Sequence, residues 1–355
     1  MISVHRLSKR RVIASIILGS ILFLNVNMHV LERDRILEIH RELTQALEGG
    51  DCSIDPLSEF TTPSAETKRT LLTSYPGGKR FAWLVISALT NHDVADDWNF
   101  SGKLDENVLT LKTSWPHEDS TWSWNDQMDQ TILLIRNPRW AIPAYHTMRY
   151  ELDFAVDFAS SLVRIPFLYT IRPAVEVWEA WRDENFETEM DAYIDHINYW
   201  MEGGRDQTTG EISTHCSENK IDCRPKEILD FDTFYKENPD TEFYKLGTLL
   251  DETFSGPESS VEVLAAQARV CALDKVYDTP ELLHDNSRTI GPLSPQFRFT
   301  STQLQIMEDR LIETKNKYLP LVTNKLEEDL VYTLTRYIKL LNAEKTVQLQ
   351  IESQE

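Results

Sequence analysis

The chain has 355 residues, 41% of them hydrophobic and 26% charged, with only 12 Gly and 15 Pro. That composition suits a globular protein with a sizeable core and excludes collagen-like and disordered chains. Asp and Glu number 57 against 36 Lys and Arg, a formal net charge of −21, so the surface repels phosphate backbones at long range and no nucleic-acid partner is expected. A single small anion held in a local basic pocket stays open.

Residues 1–11 carry Arg6, Lys9, Arg10 and Arg11 and read as a cytoplasmic tail. Val12 to Leu24 is apolar, and the uncharged run continues weakly through Asn25, Asn27 and His29 to Leu31. That reaches the roughly 20 residues a membrane span needs. The basic flank favours a cytoplasmic N-terminus, and no good pair of small residues for a cleavage site follows Leu24. Residues 12–31 are therefore read as a signal anchor, with a cleaved signal peptide as the alternative. Either way the folded part faces the secretory lumen or the exterior. Residues 32–48 form a stem helix stopped by Gly49-Gly50, and 51–67 form a Ser-, Thr- and Pro-rich linker.

A folded domain is expected over 68–342, with a tail over 343–355. Thr70 to Tyr75 is a short strand running into Pro76-Gly77-Gly78, and 79–90 is an apolar helix. Val108 to Lys112 and Thr131 to Arg136 are further strands, the latter apolar throughout and so buried on both faces. Helices are expected over 139–150, 173–201 (one or two), 240–254, 261–273, 302–317 and 321–342, with a fourth strand over Glu227–Phe231. Strand–helix alternation predicts an α/β fold: a three-layer α/β/α arrangement around a parallel sheet, with a helical C-terminal part. Of the four cysteines, Cys216 and Cys223 flank a short polar loop and are expected to pair, whereas Cys52 and Cys271 show no pattern. Asn99-Phe100-Ser101 is a glycosylation sequon.

Ligands of open parallel sheets bind beyond the carboxyl ends of the strands, and three of those ends are conspicuous. Gly77-Gly78-Lys79-Arg80 lets successive N–H groups point inward at a helix N-terminus and adds two cations, an anion cradle. Lys112-Thr113-Ser114-Trp115-Pro116-His117 follows the second strand, and Arg136-Asn137-Pro138-Arg139 the third. An arginine at the end of a buried strand is costly unless it meets an anion, and its planar fork suits phosphate. Trp178, Trp181 and Trp200 suit core packing better than sugar stacking. Asp183 to Asp191 reads as a solvated helix face, and Arg224 and Lys226 as structural residues or partners of a substrate acid.

Taken in order, these segments resemble the sulfotransferase family that uses 3′-phosphoadenosine-5′-phosphosulfate (PAPS), in its Golgi-type or algal group. SYPGGKRFAW is similar to the family's phosphosulfate loop through Tyr75, Pro76, Gly77 and Gly78. Lys112 to Pro116 is similar to its KTHxP segment, and Arg136 to Tyr145 to its RNPxDxxxSYY segment. The resemblance implies a fold like that of the P-loop NTPases and sulfonate transfer from PAPS, without a metal, to a hydroxyl or amine. The acceptor would be a small molecule or a glycan, carbohydrate being favoured by a luminal setting. It implies that Gly77, Gly78, Lys79 and Arg80 meet the 5′-phosphosulfate and Arg136 the 3′-phosphate. Arg288 would be a second arginine on that phosphate, and Lys112 would lie near the sulfonate. The setting it implies is a single-pass type II membrane protein of the Golgi with a luminal catalytic domain, or alternatively a secreted one.

The departures bear on catalysis. Ser114 replaces the family's histidine, Ala144 replaces the serine of the third segment, and Gly78-Lys79 stands for Ser-Gly. His117 is the candidate general base, against a surface-loop reading, and Glu118 is a second candidate. A non-catalytic binding or scaffold protein on the same fold is the alternative function. A small-molecule kinase is a third reading; it would need Mg²⁺ and a carboxylate near the third strand, and Arg136 to Trp140 offers none.

Overall fold

The computed structural model describes residues 68–76, 80–90, 93–96, 108–120, 128–158, 173–217, 223–233, 242, 245–250 and 297–354. The expected anchor, stem and linker, the sequon, Cys52, Cys271 and the helix over 261–273 lie outside the described residues. Among those described, no helix is long and apolar enough to cross a membrane.

The elements run β1 (Thr70–Thr73), α1 (Arg80–Thr90), β2 (Asp93–Asp96), β3 (Val108–Thr113), β4 (Gln130–Ile135), α2 (Pro138–Phe158) and α3 (Val175–Met201). Next come α4 (Thr214–Ser217), β5 (Pro225–Asp230), α5 (Ser301–Tyr318), a 3₁₀ turn (Leu319–Leu321) and α6 (Lys325–Glu352). The strands form one parallel sheet in the order β2-β3-β1-β4-β5. Every residue of β1 and β4 is buried, as central parallel strands are when both sheet faces are covered. β2 was not expected. It has four residues with Asp at each end, too few to show a pattern, and its edge position asks for only one bonded neighbour.

Alternation along the strands divides the core. Leu71, Leu111, Leu133, Ile135 and Ile228 share one cluster with residues of α2, α3, α5 and α6, among them Ile142, Trp178, Leu304 and Tyr337. Leu72, Ile132 and Leu134 point to the other face. The buried Ala82, Val85, Ile86 and Leu89 of α1 lie outside the first cluster, so helices cover both faces and the α/β expectation holds. From β1 the chain moves to β2 and β3 on one side, then crosses to β4 on the other. The carboxyl ends of β1 and β4 are therefore the topological switch point, where such sheets bind ligands.

α3 is one helix, not two. Trp178, Arg182, Phe186, Glu189, Tyr193, His196 and Trp200 form its buried stripe at helical spacing. Trp178 and Trp200 are wholly buried, as the core reading of the tryptophans expects. The stripe lies across the sheet's carboxyl end. Nε2 of His196 is 3.3 Å from Thr73 Oγ1, the Tyr193 hydroxyl donates to Arg136 O at 2.8 Å, and Trp200 Nε1 donates to Trp115 O at 2.8 Å.

Thr300 and Gln303 start α5 with a reciprocal capping box, and Asn324 caps α6. α6 runs to Glu352, through most of the expected tail. Its last turn is tied back, with Ser301 N donating to Glu352 at 2.9 Å, and Lys345 pairs with Glu308.

Cys216 and Cys223 are disulfide-bonded as expected, and the bridge packs on Gly204. Gly203 and Gly204 both have left-handed φ, +69° and +87°. A Cβ on Gly203 meets nothing within 4 Å, whereas one on Gly204 would lie 2.1 Å from Cys216 Sγ. Gly203→Ala should therefore cost only the backbone strain, about 1–2 kcal/mol. Gly204→Ala adds overpacking against the bridge, for a total of about 2–5 kcal/mol. Urea unfolding of the two variants checks the order; equal losses would contradict the packing.

Candidate functional site

Arg136 is the residue after β4, and the register sets its place. Thr73 of β1 pairs with Leu133 of β4, so Arg136 stands three residues past the last paired position, at the carboxyl end of the sheet. Arg136 is 6% exposed. Among the described residues its buried Nε and Nη2 have no hydrogen-bond partner, and its guanidinium carbon stands 4.7 Å from the centroid of the Phe231 ring.

The rest of the Arg136-Asn137-Pro138-Arg139 segment is accounted for by structure. Asn137 caps α2, its Oδ1 accepting from Arg139 N at 3.0 Å, and Pro138 fills the first helical position, where an N–H is not needed. Arg139 turns away from the rim. It is 1% exposed, its Nε donates to Glu344 at 2.5 Å, and it packs against Trp140 and Phe299. Burial lowers the Arg139 pKa and raises that of Glu344, each opposed by the other's charge.

Two carboxylates that the sequence reading did not place near β4 lie at the end of β5 and two residues past it. Asp230 Oδ1 accepts from the Tyr337 hydroxyl at 2.7 Å, and its Oδ2 from Arg336 Nε at 3.0 Å. Tyr337 also reaches Ile135 O at 3.1 Å. Asp232 Oδ2 accepts from Asn137 N at 2.8 Å. These bonds seat the ends of β4 and β5 on α6.

The turn after β3 holds a second group. Ser114 is buried, with Ser120 Oγ accepting its N–H at 3.2 Å. His117 is not a surface residue: it is 5% exposed, edge-on to the rings of Tyr75 and Tyr145. Its Nδ1 accepts from Asp119 N at 3.2 Å, so Nε2 carries the proton and faces Glu189 Oε2 at 3.4 Å. That oxygen also accepts the Tyr75 hydroxyl. Burial, and then the Glu189 charge, raises the Tyr75 pKa well above its ordinary value. Asp119 in turn accepts the Tyr145 hydroxyl at 2.5 Å and Arg149 Nη1 at 2.9 Å. Glu189 was hidden in the acidic run Asp183–Asp191. The signal that marks it is its place in the apolar stripe, three residues after Phe186 and four before Tyr193.

The other expected site residues are scattered. Lys112 is half-buried, in register with Leu72 and so one residue short of the strand end. Glu118 is exposed. Gly77, Gly78, Lys79 and Arg288 lie outside the described residues, as does the Arg80 side chain. Arg224 is paired with Glu327, which accounts for it structurally. Among the described residues no cluster of three His, Cys, Asp or Glu could hold a metal.

No family model matches the chain, and neither does any curated protein. Among solved structures it is similar to a mouse sulfotransferase, SULT7A1, crystallised in complex with PAP. Identity is 13% and the TM-score 0.37, over 76% of this chain and 88% of that one. So slight an overlap assigns no function, which has to come from the chain's own side chains.

Asp230 is 4% exposed, and removing it takes the buried carboxylate from the Arg336 ion pair, one acceptor from the Tyr337 hydroxyl and the acceptor from two backbone N–H groups. Asp230→Ala should cost about 3–5 kcal/mol, the usual loss on breaking a buried ion pair. Asp191→Ala, at the exposed Asp191–Arg310 pair, should cost at most about 1 kcal/mol. Chemical denaturation followed by circular dichroism compares them; a loss below about 1 kcal/mol at Asp230 would contradict its anchoring role.

Proposed function

We propose that the chain is a sulfotransferase that moves a sulfonate group from PAPS to a hydroxyl or amine of an acceptor. The observation that carries this is the bare guanidinium edge of Arg136 at the switch point. Burying a charge without a partner is expensive, and so is leaving its N–H groups unbonded. A phosphate would remove both costs, and the guanidinium fork matches its oxygens.

In this reading Arg136, with Arg288, holds the 3′-phosphate. Gly77, Gly78, Lys79 and Arg80, at and before the α1 N-terminus, hold the 5′ end. Lys112 adds charge near the sulfonate. When bound, PAPS supplies the sulfonate and a nucleotide leaving group. Positioning and charge neutralisation then do most of the work, as in phosphoryl transfer. We keep the luminal, membrane-anchored setting as part of the proposal; the Cys216–Cys223 bridge fits an oxidising compartment. A small molecule or glycan is the acceptor class.

The kinase reading loses support. Carboxylates do reach the rim from β5, but Asp230 is committed to Arg336 and Tyr337, and Asp232 Oδ2 to Asn137 N. Two observations favour a non-catalytic binding protein on this fold: Ser114 replaces the family histidine, and both ring nitrogens of His117 are engaged.

Calorimetric titration tests the reading. Arg136→Ala should weaken binding of 3′-phosphoadenosine-5′-phosphate (PAP) by roughly 10- to 150-fold, the worth of a charge-assisted pair of about 1.5–3 kcal/mol. Adenosine 5′-phosphosulfate, which lacks the 3′-phosphate, should bind the variant and the unmodified chain alike. Equal losses for both nucleotides would mean that the 3′-phosphate site is misplaced. Tight ATP binding with none of PAP would restore the kinase reading.

A further inference from the structure

Glu189 is the buried group whose geometry remains unused. It is 6% exposed, and both donors that reach it, Tyr75 Oη and His117 Nε2, meet Oε2. Among the described residues no hydrogen bond is made to Oε1. Glu189 also lines a cleft of about 220 Å³ beside His117 and Tyr199, which three more exposed acids, Glu118, Asp195 and Asp206, line as well. Two donors on one oxygen fix the carboxylate's orientation and leave the other oxygen for an incoming proton. His117 is arranged the opposite way. Its lone pair, on Nδ1, is turned into its own loop toward Asp119 N, and its outward nitrogen already bears a proton.

We propose that Glu189 is the general base of the sulfonate transfer, that His117 and Tyr75 position it, and that the adjoining cleft admits the acceptor. This rests on the sulfotransferase reading above. The placement supports it, because Tyr75 stands two residues before Gly77-Gly78, where that reading puts the phosphosulfate. A base must lie within hydrogen-bond reach of the proton it takes, and the cleft offers that position. In the step, the acceptor O–H or N–H bond breaks and its proton goes to Glu189 Oε1. The electron pair of that bond stays on the acceptor atom, which forms the new bond to sulfur. The bond between sulfur and the 5′-phosphate oxygen breaks, and its pair leaves with the nucleotide. The Glu189 carboxyl then returns its proton to solvent.

Among the described residues no Lys or Arg lines the cleft, so suitable probes are neutral or cationic: 2-naphthol, tyramine and glucosamine. The full chain is assayed for transfer of ³⁵S from labelled PAPS to these probes and to water, and for PAP affinity by calorimetry. Glu189→Gln should lower transfer by about 10²- to 10⁴-fold while PAP affinity stays within about threefold. Glu189→Asp, which keeps a carboxylate, should retain more transfer than Glu189→Gln. Independently of turnover, ¹⁵N shifts of His117 should show the Nε2–H tautomer. Transfer by Glu189→Gln above about a tenth of normal would overturn the assignment. So would an Nδ1–H tautomer, or loss of PAP affinity in step with transfer, which would mark a structural role. If the unmodified chain binds PAP but Glu189→Gln turns over normally, only the base falls. If the unmodified chain fails to bind PAP, or binds it and passes sulfonate to no probe and not to water, the sulfotransferase reading falls and the base with it.

Discussion

A buried arginine with two unbonded guanidinium nitrogens organises the carboxyl end of this sheet. The main chain fixes where Arg136 stands: β4 is buried along its whole length, and Tyr193 Oη holds the Arg136 carbonyl. Asn137 and Pro138 turn the next residues into α2. Each of these contacts is ordinary. Their sum keeps a cation at the switch point, over the Phe231 ring, without giving its Nε and Nη2 a partner. Asp230, at the end of β5, is occupied by Arg336 and Tyr337, and Asp232 Oδ2 accepts from Asn137 N.

α3 joins this cation to the second half of the rim. Along one stripe it supplies Tyr193 to Arg136, Glu189 to Tyr75 and His117, His196 to Thr73, and Trp200 to the carbonyl of Trp115. One rigid element therefore sets the loop after β1, the turn after β3 and the end of β4 in fixed relation. Positioning of that kind is what transfer chemistry without covalent catalysis relies on. The polar members sit at helical spacing among Trp178, Phe186, Tyr193 and Trp200, so core packing and site geometry are established by the same face.

Local chemistry made much of this legible in the sequence. The apolar run ending in Arg136 announced a buried strand with a basic end and a helix after it, and all three are present; the Asn137 cap was not anticipated. The Cys216–Cys223 pair was readable from its short polar loop. What escaped were groups defined by distant partners. Glu189 looks like one acid among several until Tyr75 and His117, far away in sequence, come to face it. His117 stands in a polar turn that reads as surface, yet the rings of Tyr75 and Tyr145 and the Glu189 carboxylate pack against it. Asp230 meets Arg336 across 106 positions, a pairing no local pattern encodes. β2 escaped for the opposite reason: four residues at a sheet edge carry no periodicity to detect.

The central claim is that Arg136 is built to receive a phosphate, and a crystal structure of the chain with PAP tests it most directly. The 3′-phosphate oxygens should lie within hydrogen-bond distance of Arg136 Nε and Nη2, at about 2.7–2.9 Å for charge-assisted contacts. A nucleotide bound with its 3′-phosphate elsewhere, while the Arg136 guanidinium stays unbonded or turns to Asp232, would contradict the claim.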